Sequence, residues 1–81
     1  MTYEEIEQRL TSIFREVLDD PSITLHGEMT AEDVSGWDSV NHIMIAVAVE
    51  SRFRIRFQTS EIQGLRNVGE LIELISQKGG R

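Results

Sequence analysis

Three stretches of this 81-residue chain place their apolar residues at steps of three and four, and no two segments alternate as paired strands would. That periodicity restricts the chain to helices packed against one another. In the first stretch Tyr3, Ile6, Leu10, Ile13, Phe14 and Val17 fall on one stripe of a 3.6-residue period. Thr2 and Glu5 stand at capping-box spacing, where the hydroxyl and the carboxylate each satisfy an orphan backbone donor, so a helix begins near Thr2. It runs to about Leu18 and stops before Asp20-Pro21, because proline disfavours a helical backbone at the residue before it.

The second stretch, "NHIMIAVAVE", is apolar almost all the way round, and the spacing predicts a helix from Ser39 to about Arg52 with Asp38 or Ser39 as its cap. At about 100° per residue it carries two stripes: Ile45, Ala46, Val49 and Phe53 on one side, Val40, Met44 and Val47 on the other. Only one can be core. The stripe ending in Phe53 carries the aromatic and continues into Ile55 and Phe57, which leaves Val40, Met44 and Val47 free for a partner. The third stretch sets Val68, Leu71, Ile72 and Ile75 on one face, with Asn67 and Glu70 at capping spacing and Lys78 and Gly79 suited to the helix end. A short turn from Thr59 or Ser60 to about Gly64, with Ser60 and Gln63 at capping spacing, precedes it. The expected fold is therefore all-α, a small four-helix bundle of three main helices plus one short helix.

A long connection, Asp19 to Asp38, separates the first two helices. Structureless loops of that length are uncommon in compact domains, so Ile23, Leu25, Met29, Val34 and Trp37 are expected to pin it across the bundle, and Thr30 with Asp33 to cap one turn. A chain this short buries only ~60% of the surface it exposes when unfolded, which allows one core and a single domain over residues 1–81, with a flexible tail from about residue 78. The terminal "KGGR" resembles a conjugation tail, but those occur on sheet folds.

Composition narrows the partners. The chain has no cysteine, hence no disulfide, no thiolate metal site and no cysteine nucleophile, which fits a reducing compartment; the cytoplasm is expected. Acids stand where a signal peptide needs bases, and the apolar run from Ile43 to Val49 is too short to span a bilayer. A soluble monomer is expected. Residues 1–38 hold ten acids and two bases, and residues 39–81 four acids and six bases. An acidic front half argues against nucleic acid, whose binding draws on clustered Lys and Arg. The triplet Arg52, Arg54 and Arg56 reads as a solvated edge with Phe53, Ile55 and Phe57 turned inward.

The chemistry converges on "GWDSV", residues 36–40, where a serine opens the most apolar helix. The longer run "GWDSVNHIMIAVAVESRFRIRF" resembles the second-helix signature of acyl and peptidyl carrier proteins: an Asp-Ser pair, an aliphatic residue, then a Glu and a Phe closing the helix. The order of elements is similar over essentially the whole chain. The resemblance implies that Ser39 is the attachment serine for 4'-phosphopantetheine, Asp38 the preceding acid that engages the transferase and its magnesium ion, and Val40 the aliphatic position, with Trp37 beside them. It implies a carrier with no catalysis of its own, partnered by a phosphopantetheinyl transferase, an acyl- or aminoacyl-loading ligase and a downstream acyltransferase or synthase. A helix N-terminus, with free N–H groups and a positive dipole end, suits the phosphodiester that attachment would leave.

Other readings of the same residues stand beside this one. Ser39 could be a plain N-cap, on an unmodified helical protein–protein interaction module. Asp38, Ser39 and His42 could be read as a hydrolase triad, but neighbours on one helix provide no separately anchored orienting acid and no Gly-rich turn supplies an oxyanion hole. His42 reads as a partly buried histidine on the Phe53 side, and His26 with His42 does not make a metal site. Carriers of fatty acid synthesis present several acids along the second helix, whereas the outer face here shows Asn41, Met44, Val47 and Ser51 with Glu50 as its main acid. Docking is thus expected to rest on apolar contact, with Val40, Asn41, Met44, Val47 and Glu50 as the partner face, and the pattern fits a stand-alone carrier served by a dedicated ligase or biosynthetic cluster.

Overall fold

The computed structural model describes residues 2–79, which form four helices: α1, Tyr3–Val17; α2, Ser39–Phe53; α3, Thr59–Gln63; and α4, Val68–Gly79. Helix α1 begins as its capping box dictates, with the Thr2 hydroxyl accepting from Glu5 N–H at 3.2 Å and the Glu5 carboxylate accepting from Thr2 N–H at 3.1 Å. It ends before the proline is reached. Asp19 adopts the left-handed region at φ 51°, and the next N–H, of Asp20, bonds back to the Arg15 carbonyl at 3.0 Å. The stop is therefore a left-handed C-terminal turn, with an aspartate where glycine is commoner.

The core lies where α1 packs against both α2 and α4. Ile6, Leu10, Ile13 and Phe14 face Ile45, Ala46, Val49 and Phe53 of α2 and Val68, Leu71, Ile72 and Ile75 of α4, all buried. Tyr3 departs from the expected stripe: it is 48% exposed, because the stripe runs past the edge of the core at the first helical residue.

The long connection is pinned as expected. Ile23, Leu25, Val34 and Trp37 are buried in the core and Met29 packs against it. Arg15 Nε donates to the Ile23 carbonyl at 2.7 Å, and Asp33 accepts from Thr30 N–H at 3.0 Å to close a turn. The same loop terminates the opening of α4, since the Met29 and Gly27 carbonyls accept from Val68 and Gly69 N–H, both at 2.9 Å. A side chain at position 69 would start only 3.1 Å from the Gly27 oxygen, so the close backbone approach favours glycine there.

Two details of the second half differ from the expected pattern. Helix α3 is capped by Glu61 accepting from Gln58 N–H at 2.8 Å, not by Ser60 and Gln63, and Glu61 also pairs with Lys78 at 3.0 Å. Helix α4 continues through Lys78 and Gly79, so Gly79 is its last helical residue rather than a cap beyond it, and Gly80 and Arg81 of the expected tail lie outside the described residues. Among the described residues no helix is long and apolar enough to cross a membrane.

Candidate functional site

The site is built where the loop turns into α2. Gly36, at φ +90°, bends the chain, and Asn41 Nδ2 donates to its carbonyl at 2.7 Å. Asp38 is extended and is the N-cap: its carboxylate accepts from Asn41 N–H at 2.8 Å, and its carbonyl accepts the first helical bond from His42 N–H, also at 2.8 Å. Ser39 is thus the first helical residue rather than the cap, and it is exposed. The N–H groups of Ser39 and Val40 have no acceptor among the described residues. They leave the positive end of the α2 dipole open beside the serine hydroxyl.

Trp37 is buried, 6% exposed, with its ring edge-on to Phe14 at 5.0 Å between centroids. Its indole N–H donates to His42 Nδ1 at 2.9 Å, and the two rings stack at 5.9 Å. Because an indole nitrogen can only donate, Nδ1 of His42 is the acceptor and its proton sits on Nε2. Nε2–H in turn donates to the Ile62 carbonyl at the end of α3, 2.9 Å away. Both ring nitrogens of His42 are thereby committed, and neither is left to act as a base toward Ser39 or to bind a metal. His26 lies exposed on the long loop.

Between α2, α3 and the Leu65–Arg66 segment lies a cleft of about 560 Å³ that Ser39 borders. Its wall is apolar, from Trp37, Ile43, Ile62 and Leu65, and its rim carries Asp38, Gln63 and Arg66. The Arg66 backbone N–H donates to the Glu70 carboxylate at 2.8 Å, while its guanidinium pairs with no carboxylate among the described residues. A phosphodiester on the Ser39 oxygen fits these surroundings: open N–H groups and a helix dipole on one side, a guanidinium on the same cleft, and apolar walls for an arm.

Val40, Ile43, Met44 and Val47 are each more than half exposed and share one face of α2. Ile43 was absent from the expected stripe although the period places it there, about 60° from Val40. Asn41 and Glu50, expected on the same face, are engaged within the chain: Asn41 with Gly36, and half-buried Glu50 as acceptor of Phe57 N–H at 2.7 Å. Nearby, Arg52 pairs with Glu16 of α1, while Arg54 forms the left-handed turn that ends α2 at φ 57°.

Comparison with known proteins gives the class. The family model for the phosphopantetheine attachment site matches residues 8–75. The chain belongs to this family, the acyl and peptidyl carrier proteins, which carry phosphopantetheine and are not enzymes. It is similar to the solution NMR structure of holo acyl carrier protein from Geobacter metallireducens, with 42% identity and a TM-score of 0.84 over 90% of this chain and 84% of that one. Acyl carrier protein from Acidothermus cellulolyticus is 29% identical over 76 residues, covering 94% of this chain and 90% of that protein. Acyl carrier protein from Prochlorococcus marinus is 29% identical over 80 residues, 99% of this chain and 100% of that protein.

Proposed function

We propose that this chain is a stand-alone carrier in which Ser39 holds the phosphopantetheine and residues 1–81 act as one domain. The observation that carries the reading is the exposed Ser39 hydroxyl at the first position of α2, next to unpartnered N–H groups and the Arg66 cleft. When bound, the arm supplies a thiol that holds an acyl or aminoacyl group as a thioester, the one sulfur nucleophile this cysteine-free chain lacks. In the attachment step the Ser39 oxygen–phosphorus bond forms, the pyrophosphate bond of coenzyme A breaks, and adenosine 3',5'-bisphosphate leaves.

The chain's own residues present the hydroxyl rather than activate it. With both His42 nitrogens engaged, no base faces Ser39, so a phosphopantetheinyl transferase supplies base, metal and geometry. Asp38 holds α2 at its cap and offers its second carboxylate oxygen to the transferase and its magnesium ion. Val40, Ile43, Met44 and Val47 form the docking face for the transferase, for an acyl- or aminoacyl-loading ligase and for a downstream acyltransferase or synthase. Because this face is apolar rather than acidic, the carrier serves a dedicated ligase or biosynthetic cluster more readily than housekeeping fatty acid synthesis, in the cytoplasm.

Incubation with coenzyme A and a broad-specificity transferase tests the attachment. Intact mass should rise by one phosphopantetheine in the wild type and not at all in Ser39→Ala. That variant should keep its fold, since Asp38 and not Ser39 is the cap. A wild type that resists competent transferases, or a modified Ser39→Ala, would replace the carrier by an unmodified helical interaction module.

A further inference from the structure

Beyond anchoring the turn before Ser39, Trp37 makes a polar contact with His42 that the attachment step does not use. The indole N–H, both imidazole nitrogens and the Ile62 carbonyl form one chain of two 2.9 Å hydrogen bonds, linking the loop before α2, the first turn of α2 and the end of α3. The chain stands between the Ser39 cleft and the core. On one side Trp37 and His42 line the cleft; on the other, the Trp37 ring meets Phe14, which is fully buried. Among the described residues none of the fully buried core side chains, such as Phe14, Ile45 or Leu71, borders the cleft. A group entering beside Ser39 therefore meets Trp37 and His42 before it can reach the core.

Resting on the carrier reading above, we infer that Trp37 and His42 determine cargo size: they close the inner end of the cleft, so that this carrier shelters short acyl or aminoacyl groups and leaves long chains in solvent. For a long chain to pass inward, α3 has to move away from α2. That movement separates His42 Nε2–H from the Ile62 carbonyl, leaving both polar groups in apolar surroundings without partners, and a chain that goes deeper still has to displace the Trp37 ring from Phe14. A short group fits against Ile43, Ile62 and Leu65 without disturbing any of this.

The test uses full-length protein charged on Ser39 by a broad-specificity transferase from acetyl-, octanoyl- and palmitoyl-coenzyme A, with charging verified by intact mass. Amide exchange at Ile45, Val49 and Leu71 reads entry into the core, and emission from Trp37, the single tryptophan, reads the cleft. In the wild type, core exchange should be the same with two- and sixteen-carbon groups. In His42→Ala the sixteen-carbon form should slow core exchange several-fold and shift Trp37 emission. His42→Gln, whose amide can accept from the indole and donate to the carbonyl, should restore wild-type behaviour. Trp37→Phe keeps a ring against Phe14 but removes the donor, and it carries the exchange test if His42→Ala does not fold. The inference is overturned if the sixteen-carbon chain slows wild-type core exchange, or if wild type, His42→Ala and Trp37→Phe respond alike. A wild type that gains no mass overturns the attachment at Ser39 itself, whereas a fully charged wild type that takes the long chain inward overturns only this inference.

Discussion

Met44 and Ile45 are neighbours in sequence on opposite faces of α2, and substituting each in turn tests whether the docking face has been separated correctly from the core. Met44 is 55% exposed and Ile45 1%. Met44→Glu exchanges two residues of similar helix propensity, and no acid lies three or four positions away to repel the new carboxylate. Surface changes of this kind stay within about 0.5 kcal/mol. Ile45→Ala instead removes a buried branched side chain, at a cost of about 2–5 kcal/mol in transfer and cavity terms. At about 4–8 °C per kcal/mol for a domain of this size, Met44→Glu should shift Tm by no more than a few degrees. Ile45→Ala should lower it by at least about 8 °C, or unfold the protein outright. Thermal melts followed by circular dichroism check both, and transfer kinetics measured on the folded Met44→Glu protein should show kcat/KM reduced while the fold is intact. A large loss of stability in Met44→Glu would place the outer stripe in the core and refute the choice of face. Unchanged transfer kinetics with both transferase and ligase would refute its role in docking.

Two further perturbations follow from the caps. Asp38→Ala should cost about 1 kcal/mol, read as a Tm fall of roughly 4–8 °C, whereas Asp38→Asn keeps a capping oxygen and should retain stability; if the carboxylate also engages the transferase, both variants should slow attachment, and a fast Asp38→Asn would confine Asp38 to capping. Acid should loosen the bundle through Glu5, Glu61 and Asp20, whose carboxyl groups sit below their ordinary values: Glu5 mainly through the Thr2 backbone N–H and then its hydroxyl, Glu61 through the Gln58 N–H and then Lys78, and Asp20 through the Ser22 hydroxyl and then its N–H. Carboxylates depressed on folding contribute stability that is full above their unfolded values, 4.5 for Glu and 3.8 for Asp, and is lost as pH falls through the lower folded values. Tm should therefore be nearly flat from pH 7 to about 5 and drop below it, with a smaller drop in Glu61→Gln; an equal drop would remove Glu61 from the account.

The four helices were legible because each writes its own period and most write their own caps. Ile6, Leu10, Ile13 and Phe14 name the buried face of α1 without reference to anything else, and Asn67 with Glu70 marks the start of α4, where Glu70 N–H does bond to the Asn67 side chain at 2.8 Å. Helix α3 was placed but miscapped, because five residues carry too little period to choose between Gln58–Glu61 and Ser60–Gln63, and the choice is fixed by Lys78 of α4. That Asp38 or Ser39 caps α2 could be read from one short stretch, and the cap is Asp38. The His42 partners could not: Trp37 lies five residues back and the Ile62 carbonyl twenty residues on, and a backbone oxygen leaves no trace in residue type. The available signal was weaker but present. His42 falls among Ile45, Val49 and Phe53 on the core arc of α2, and a polar ring there needs partners for both nitrogens.

Gly36 turns the chain at a positive φ that a side chain would resist, which lets the extended backbone that follows send Trp37 inward and hold Asp38 at the surface. Trp37 fixes the depth of the turn against Phe14, and Asp38 fixes its direction by taking the Asn41 N–H. Between these two anchors Ser39 has no structural duty left: it is neither cap nor core, and its hydroxyl faces out beside N–H groups that the Asp38 carboxylate does not reach. Val40 then opens an apolar outer face while Ile45 and Val49 bury the inner one. Under the proposed carrier function, phosphopantetheine on a serine freed of structural work, held between two residues that have it, would strain the bundle little, and the apolar face beside it is the surface proposed to bring the transferase to that hydroxyl.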